Sequence, residues 1–448
     1  MKMSTLSSKH AKKKENTYFL QSCSKVVLLL CLAAFLRYLV MSSKYQTIIA
    51  NHFEISTPIC SWKRVQEGLF LLSRNIDPYD GDLLHETPTA LIFYKIMSQN
   101  VFRDVSLMFI FFDIGTALLL YAATRHYAKQ FHQEHRDRTK YPKDVHEYLP
   151  SEGYYEKVPL YVLVAFLFNP YTFLGCVGYS TAGIHNFFLA LFVFGMVYGS
   201  PIVSSLALAI CSSVSFYPLI LLSPLYIYYS QVYKSKTKAL LVVLYFLTYV
   251  YLITFYNNSL SKSFKFINNV YGSIWTVPDL QPNIGLFWYF FTEVFDHFRE
   301  LFIHSFQINA TILYLVPLSI KFSNRPFILT IALLFLITIF KSYPCLSDLG
   351  FVLSFLPNFL HLYAFCQQGV IVGVILFMTS CLAPTLWHLW IYSASANANF
   401  YFGVTLAYAI AQIFLVTDIL FAQTKWEFTL KHGREAKIDG EDADLSLE

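Results

Sequence analysis

Two side-chain amides in the last third of the chain are well suited to bind a polar ligand. Asn397 and Asn399 lie two residues apart in the segment SANANF, shortly after LWHLW, whose tryptophans are typical of a membrane–water interface. Because an amide both donates and accepts hydrogen bonds, this pair suits a hydroxyl-rich or phosphate-bearing head group without adding charge. The alternative is that these asparagines only cap the final helix.

A lysine and a tyrosine in the segment KSYP, residues 341–344, offer a second polar group. Lys341 lies at a predicted lumenal membrane edge, against the usual cytosolic bias of positive residues, and its ammonium could meet a phosphate. Snorkelling of the lysine toward water is the competing interpretation. Polar motifs gather on this predicted side, so we count Tyr343 and Asn283 with Lys341 as candidate lipid contacts.

Residues 278–304 form the most unusual stretch, because it is rich in both aromatic and acidic residues. Asn283 is placed to cap a helix that we predict from about residue 284 onward without a break. One face of this helix would carry acids and histidines at steps of three and four residues: Glu293, Asp296, His297, Glu300 and His304. Trp288 and several phenylalanines would cover the rest. The pattern favours a helix at a membrane interface whose acidic face docks a partner or faces water.

Evidence for catalytic chemistry is weak. Asp80-Gly81-Asp82 is an Asp-x-Asp pair of the kind that holds a divalent ion or acts as a base in lipid-linked sugar transfer, yet the surrounding residues are typical of a turn. His85-Glu86 lacks the second histidine of a zinc motif. Glu293 and His297 could share a metal, but a hydrogen bond on the helix surface is the better interpretation. We therefore predict no metal site and no catalytic residue.

Composition indicates that membrane-spanning segments must position these groups. Of the 448 residues, 56% are hydrophobic and only 14% are charged, against about a quarter in soluble domains. The sequence predicts a polytopic membrane protein. Its net charge of +5 comes from predicted cytosolic flanks and does not indicate nucleic-acid binding. The eight cysteines have no metal-ligand spacing; Cys60 and Cys345 could face an oxidising lumen, but small buried side chains remain the simpler interpretation.

Hydropathy and charge predict an all-α fold of about twelve transmembrane helices with both termini cytosolic. Residues 1–25 form a basic tail, 26–422 a single membrane domain, and 423–448 a second cytosolic tail. Lumenal loops are predicted near 42–105, 257–304, 341–348 and 389–400. The glycosylation triplet at Asn257 would be lumenal, close to the membrane. The predicted spans are 26–41, 106–123, 158–176, 184–198, 201–215, 216–229, 239–256, 305–320, 326–340, 349–365, 370–388 and 401–422.

Several long segments resemble the phosphatidylinositol-glycan class U (PIG-U) family of glycosylphosphatidylinositol (GPI) transamidase subunits. They are VPDLQPNIGLFWYFFTEVFDHF at 277–298, FKSYP at 340–344, LWHLWIYSASANANF at 386–400, NPYTFLGC at 169–176 and HETP at 85–88. The similarity extends from about residue 57 to residue 422, in order and with similar spacing. It leaves out the basic N-terminal tail and the acidic C-terminal end.

The resemblance implies a multi-pass protein of the endoplasmic reticulum, without a cofactor, in a complex with a caspase-like protease subunit and other membrane partners. The catalytic cysteine would be on that other chain, and this subunit would help to recognise the GPI lipid. The resemblance links the SANxNF block, with Asn397 and Asn399, to GPI binding. We therefore predict a lipid site and a partner surface. The lipid site comprises Asn397, Asn399, Lys341, Tyr343 and Asn283; the partner surface comprises Glu293, Asp296, His297 and Trp288.

The family is also similar, more distantly, to the polytopic mannosyltransferases of GPI assembly, which have a GT-C-type membrane scaffold. Their catalytic acids come early in the first lumenal loop, where this chain reads Asn51-His52-Phe53-Glu54, with a single acid. This departure favours a transferase-like scaffold without sugar transfer. A lumen-facing lipid-linked mannosyltransferase remains the alternative function, and a transporter or flippase is a third possibility.

Overall fold

The structure is a computed structural model that describes residues 24–261, 264–434, 437–438 and 441–442. Helices make up most of the described chain, so the predicted all-α fold is confirmed. The described part also contains two short antiparallel strands, Lys437–Ile438 and Glu441–Asp442, near the C-terminus. Residues 1–23, most of the predicted basic tail, lie outside the described residues.

The α-helices of the described residues are numbered in chain order. They are α1 (Ser24–Met41), α2 (Tyr45–Ala50), α3 (Trp62–Ser73), α4 (Pro88–Lys95), α5 (Val105–His135), α6 (Glu152–Leu167), α7 (Pro170–Val177), α8 (Ala182–Val197), α9 (Pro201–Val214), α10 (Leu222–Val232), α11 (Lys236–Ser261), α12 (Lys265–Ile267), α13 (Ser273–Thr276), α14 (Phe287–Glu293), α15 (Asp296–Ile308), α16 (Leu315–Lys321), α17 (Pro326–Phe340), α18 (Leu346–Leu353), α19 (Gly369–Ile391) and α20 (Ala398–His432).

Shorter helical turns connect several of these helices. The 3₁₀ turns are Arg138–Lys140, Lys143–Tyr148, Tyr217–Leu221 and Leu356–Phe365. The π-helical segments are Ile96–Val101, Asn268–Gly272 and Asn309–Leu313. The last of these joins α15 to α16, so that Asp296–Lys321 forms one long helix.

The core is built around α17, whose sequence PFILTIALLFLITIF is apolar on every side. All of its residues except Ile337 and Phe340 are buried. A helix that is hydrophobic all round must be surrounded by other helices, and α17 packs against α10, α18 and α20. Pro326 occupies the first turn of α17. A proline is tolerated there because N–H groups in the first turn have no acceptor within the helix.

Six helices of the described chain are long and apolar enough to cross a membrane: α1, α5, α11, α15–α16, α19 and α20. Two bent pairs raise the number to eight if each pair is one span. Residues 143–177 bend by 48° between α6 and α7, and residues 346–365 bend by 66° after α18. Three further apolar helices, α8, α9 and α17, are shorter. The chain is thus a multi-pass protein by composition, and the count of twelve spans stays a prediction.

One predicted helix is wrong. Residues 284–304 do not form a continuous helix, because α14 ends at Glu293 and α15 begins at Asp296. Val294 adopts an extended conformation with ψ of 136°, and Phe295 has ψ of 135°. Glu293 and Asp296 therefore lie on different helices and do not share the predicted face.

Two predicted boundaries also need correction. Helix α5 continues to His135, well into the predicted cytosolic loop. Helix α20 continues to His432, so the first ten residues of the predicted C-terminal tail are helical. Both extensions are polar, and both meet near Arg325, which pairs with Glu134 of α5 and Glu427 of α20 at 2.7 Å each. Since a hydropathy pattern records only the apolar part of a helix, such polar extensions are missed.

Candidate functional site

The turn between α19 and α20 presents the two predicted amides. It is tight: Ala394 has a left-handed φ of 50°, and the N–H groups of Ser395 and Ala396 both donate to the carbonyl of Leu389, at 2.9 and 3.3 Å. The side chain of Asn397 caps α20, because its Oδ1 accepts hydrogen bonds from the N–H groups of Asn399 and Phe400, at 3.1 and 3.4 Å. Capping thus uses the amide oxygen of Asn397, while the residue itself stays exposed.

Asn399 joins this turn to α14. Its Oδ1 accepts a hydrogen bond from the hydroxyl of Tyr289, and Asn399 is also exposed. The two distinctive segments that were noted separately in the sequence, 277–298 and 386–400, are therefore in direct contact.

An aromatic cluster lies beneath the two amides, which we call the tryptophan cluster: Trp288, Tyr289, Trp387, Trp390 and Tyr401. Trp288 stacks on Trp390 with ring centroids 6.1 Å apart, and Trp387 meets Tyr401 edge-on at 5.2 Å. Trp288 is buried, and its indole N–H has no acceptor in the described chain. Large rigid rings fix the positions of the helices that carry the amides. The buried Trp288 N–H is left without a partner among the described residues.

Glu54 lies on the inner side of this cluster. Its carboxylate accepts a hydrogen bond from the Tyr401 hydroxyl at 3.0 Å, and its carbonyl accepts one from the Leu346 N–H at 2.9 Å. Burial raises the pKa of Glu54 to about 7, against the opposing effect of the Tyr401 bond. In the sequence, Glu54 was noted only as the single acid in a region where the mannosyltransferases have a pair of catalytic acids. Its contact with Tyr401 was missed, because 347 residues separate the two.

Lys341 is paired with a carboxylate inside the protein. Its ammonium lies 2.5 Å from Asp348 Oδ2, and the two side chains are 21% and 11% exposed. Burial disfavours the ammonium, but the attraction of Asp348 outweighs burial and raises the pKa of Lys341. Asp348 also accepts hydrogen bonds from the N–H of Cys345 at 2.8 Å and from its thiol at 3.2 Å. The predicted phosphate ligand is thus already neutralised by a neighbour.

Tyr343 and Asn283 are buried as well. The Tyr343 hydroxyl donates to the carbonyl of Asp279 at 2.8 Å. Asn283 does not cap a helix: its Oδ1 accepts from the N–H of Gly285 at 2.7 Å, within its own turn. The structure therefore brings only Asn397 and Asn399, of the five predicted lipid contacts, to one exposed surface.

The predicted partner residues divide between surface and interior. Glu293, Asp296 and His297 are exposed at the junction of α14 and α15, which we call the elbow, whereas Trp288 is buried. Arg299 holds the elbow together by donating to the carbonyls of Phe291 and Val294, at 2.8 and 3.5 Å. Arg299 also pairs with Asp296 at 2.6 Å, so the elbow is an exposed edge with a fixed backbone and a partly neutralised acidic character.

The Asp-x-Asp pair lies in an exposed loop that is tied to α12 and the residues after it. Asp80 pairs with Lys265, and the Asn269 amide donates to the carbonyls of Tyr79 and Gly81 at 3.2 and 2.5 Å. Within the described residues, no group of three or more His, Cys, Asp or Glu side chains could hold a metal ion. The geometry favours the interpretation as a turn.

Glu86, in the HETP segment, has an unexpected internal position. Its carboxylate accepts from the hydroxyls of Thr181 and Tyr94, at 2.9 and 3.4 Å, and lies 4.0 Å from His185 Nε2. Burial raises the pKa of Glu86 to about 7. The next residue, Thr87, caps α4 by accepting from the N–H of Ala90. Of these two contacts, only the one with Tyr94 is local, because Tyr94 lies eight residues after Glu86. No signal in the sequence indicates the contact with Thr181.

Comparison with known proteins identifies the family. A family model described as GPI transamidase subunit PIG-U matches residues 31–408. The chain belongs to the PIG-U family. The resemblance inferred from the segments at 277–298 and 386–400 is thereby confirmed.

Relatives of this PIG-U family member cover nearly its whole length. The GPI-anchor transamidase component PIGU of Homo sapiens is 37% identical over 435 residues, which cover 94% of this chain and 99% of that protein. The GPI transamidase component GAB1 of Saccharomyces cerevisiae is 29% identical over 411 residues, or 91% of this chain and 96% of that protein. These relatives are named as transamidase components, and the comparisons give the mannosyltransferase alternative no support.

Proposed function

We propose that this chain is a non-catalytic subunit of the GPI transamidase that holds the GPI lipid at the exposed amides of Asn397 and Asn399. Membership of the PIG-U family carries the assignment to the transamidase complex. The contact between Asn399 and Tyr289 supports the choice of site, because it joins the two most distinctive segments of the chain at one exposed surface.

The chemistry of this surface suits a sugar–phosphate lipid. The Asn397 amide nitrogen is not needed for the cap, so it remains available as a donor at the exposed start of α20. Neutral donors can bind hydroxyl or phosphate oxygens while leaving the charge of the ligand unchanged. The tryptophan cluster would sit at head-group depth, where such rings are favoured, with the acyl chains alongside the helices.

The proposed lack of catalysis is consistent with the environments of the buried acids. Glu54 and Glu86 each bind protein hydroxyls and are nearly inaccessible. A general base needs access to the proton that it removes, and these carboxyls hold helices and loops together instead. The transamidation cysteine would belong to a caspase-like partner subunit.

The elbow is our proposed contact for another subunit of the complex. Glu293, Asp296 and His297 are exposed there, next to the tryptophan cluster in sequence. The exposed carboxylate of Glu293, on a backbone fixed by Arg299, complements a basic surface and favours a defined orientation of the partner. We place the whole assembly in the endoplasmic reticulum membrane, with the elbow and the amides on the lumenal side.

Deleting the gene tests the role of the chain in the complex. Cells without the protein should accumulate complete GPI lipid and unprocessed proproteins, and re-expression of the wild-type chain should reverse both effects. Accumulation of a precursor that lacks a mannose would instead indicate sugar transfer, and a normal level of GPI-anchored reporter at the cell surface would contradict the proposal.

The variants Asn397→Lys and Asn399→Lys test the site. Each should lower the surface level of a GPI-anchored reporter while the complex still assembles, as judged by co-purification of the other subunits. Gln367→Lys is a matched control, because Gln367 is exposed just before the opposite end of α19. Full anchoring by both asparagine variants would show that the amides do not hold the lipid.

A further inference from the structure

We propose that Cys60 and Cys345 form a disulfide bond in the mature protein, a covalent link between the loop that precedes α3 and the loop that precedes α18. The inference rests on the lumenal placement of these loops in the proposed function, because disulfides persist in oxidising compartments and are rare in the cytosol.

The two cysteines are neighbours although 284 residues lie between them in the sequence. Both are buried, and together with Ala182 they form a small hydrophobic cluster of their own. Both are free thiols, and each lies close enough to the other to change its pKa. The remaining described cysteines lie on α1, α7, α9, α19 or the turn before α19, and none of them shares this cluster.

Backbone hydrogen bonds fix the segments that carry the two thiols. The Cys60 carbonyl accepts from the Thr181 N–H at 2.9 Å, and Ser61 pairs with Ser180 in an isolated bridge. Earlier in the same loop, the Glu54 carbonyl accepts from the Leu346 N–H at 2.9 Å, which ties the first loop directly to the residue after Cys345. A link here would therefore join two segments that already lie side by side.

The surroundings of each thiol suit one step of disulfide exchange. Hydrogen bonding by Cys345, and also by Ser180 and Thr57, lowers the pKa of the Cys60 thiol despite its burial. A lowered pKa marks the thiol that attacks first. Hydrogen bonding to Cys60, burial and the Asp348 carboxylate, 3.2 Å from the thiol, raise the pKa of Cys345, so this thiol stays protonated and reacts second.

The oxidant would be a lumenal dithiol–disulfide oxidoreductase, acting late in folding, when the two loops have met but are still accessible. The Cys60 thiolate attacks one sulfur of the oxidoreductase disulfide, and the other sulfur leaves as a thiolate. Cys345 then loses its proton to the first departing thiolate and attacks the Cys60 sulfur, which breaks the mixed disulfide and releases the second oxidoreductase thiolate; this sulfur takes up the proton that Cys60 released to solvent. Two cysteine thiols are oxidised and one oxidoreductase disulfide is reduced to a dithiol.

Counting free thiols on the full-length protein in its own membranes tests the proposal. Membranes are quenched with acid, dissolved in SDS and treated with a maleimide–polyethylene glycol reagent that adds a fixed mass to each free thiol. The chain has eight cysteines, so the wild type should take up six labels before reduction and eight after it. Cys60→Ser/Cys345→Ser should take up six labels under both conditions.

Two controls make the result specific. Cys366→Ser should show five labels before reduction and seven after it, because Cys366 is outside the pair. Cys60→Ser alone should show seven under both conditions, since Cys345 loses its partner. Eight labels on the unreduced wild type, or two protected thiols that remain in the double serine variant, would overturn the proposal. A reporter for GPI anchoring is read separately, so loss of the proposed function would not alter the thiol count.

Discussion

The side chain of Asn397 has two different tasks for its two polar atoms. Its oxygen caps α20 by binding the N–H groups of Asn399 and Phe400, and its nitrogen is the proposed donor to the lipid. Structural and binding roles can therefore be separated by substitutions that keep one atom and remove the other.

We predict that Asn397→Ser keeps the cap but impairs anchoring, because serine is a good capping residue with a shorter side chain. Losing one hydrogen bond to the lipid should weaken lipid binding by about three- to tenfold. Asn397→Ala should lose the cap as well, which lowers helix stability by about 1 kcal/mol. The measurements are GPI-reporter levels and thermal unfolding of the purified complex. Wild-type anchoring by the serine variant would contradict a role for the amide nitrogen.

Glu54 should make stability depend on pH. Its pKa is raised from 4.5 to about 7, so the folded protein holds a proton that the unfolded chain releases. The free energy of unfolding therefore falls as pH rises from about 4.5 to 7, by at most about 3 kcal/mol for this group. We predict that Glu54→Gln, which keeps an acceptor for Tyr401, is more stable than the wild type at pH 8 and similar to it near pH 4.5.

Glu86 has the same raised pKa and provides the comparison for Glu54. Glu54→Gln should reduce the pH dependence of thermal unfolding between pH 5 and 8, and Glu54→Gln/Glu86→Gln should reduce it further. An unchanged slope in both variants would mean that neither carboxyl is held neutral.

At the scale of helices, α1 is attached to the rest of the protein by a buried charged contact. Arg37 of α1 lies 2.7 Å from Asp113 of α5, and both side chains are almost completely buried. The guanidinium also lies over the Phe173 ring of α7, 5.4 Å from its centroid. Most of the remaining surface of α1 is exposed, so this pair should determine where α1 packs.

We predict that Arg37→Met destabilises the protein by about 3 kcal/mol or more, because it leaves Asp113 buried without a partner. Arg37→Met/Asp113→Leu should recover much of that loss, since no charge is then left unpaired. Lys44→Met is the control, because Lys44 is a nearby exposed cation. Thermal unfolding in detergent measures all three variants. A double variant less stable than Arg37→Met would contradict this account of the pair.

The sequence predicted individual helices better than their breaks. Pro326–Phe340 was predicted with its exact ends, because a continuous apolar run there starts at a proline. The elbow was missed, because residues 284–304 contain a helical period throughout and have no glycine or proline near 294. Contacts made by Arg299 to the carbonyls of Phe291 and Val294 stabilise the break. Such tertiary contacts leave no periodic signal.

The candidate site shows the same limit. Asn397 and Asn399 were predicted from residue type and from the resemblance, and both lie on the surface. Lys341 was predicted as a phosphate ligand because its position opposed the charge bias, but Asp348, seven residues later, pairs with it. Local sequence cannot show which of two nearby charges will neutralise the other once the chain folds.

For the molecule as a whole, orientation in the membrane can be tested with two single substitutions. Asp77→Thr creates an Asn-x-Thr glycosylation triplet that starts at Asn75, in a predicted lumenal loop. Asp137→Asn creates such a triplet that ends at Thr139, in a predicted cytosolic loop. We predict a glycan on the first variant only, detected as a mobility shift that an endoglycosidase removes. A glycan on the Asp137→Asn variant would reverse the proposed orientation.

The wild-type chain provides the baseline for this experiment. Its triplet at Asn257 should remain unmodified, because Asn257 is buried and its Oδ1 accepts hydrogen bonds from the N–H and hydroxyl of Thr89, at 2.8 and 2.5 Å. An endoglycosidase-sensitive wild-type band that is lost in Asn257→Gln would contradict this position of Asn257; the variant is needed because Asn309-Ala310-Thr311 is a second triplet.

The Arg37–Asp113 pair also has a consequence for biosynthesis. Arg37 is synthesised 76 residues before Asp113, so α1 emerges from the ribosome with an arginine that has not yet met its carboxylate. An unpaired arginine is unfavourable in the hydrocarbon interior. Helix α1 should therefore remain near the insertion machinery until α5 arrives, and both helices should enter the lipid together. An inserted chain truncated before α5 should consequently be a substrate for membrane quality control.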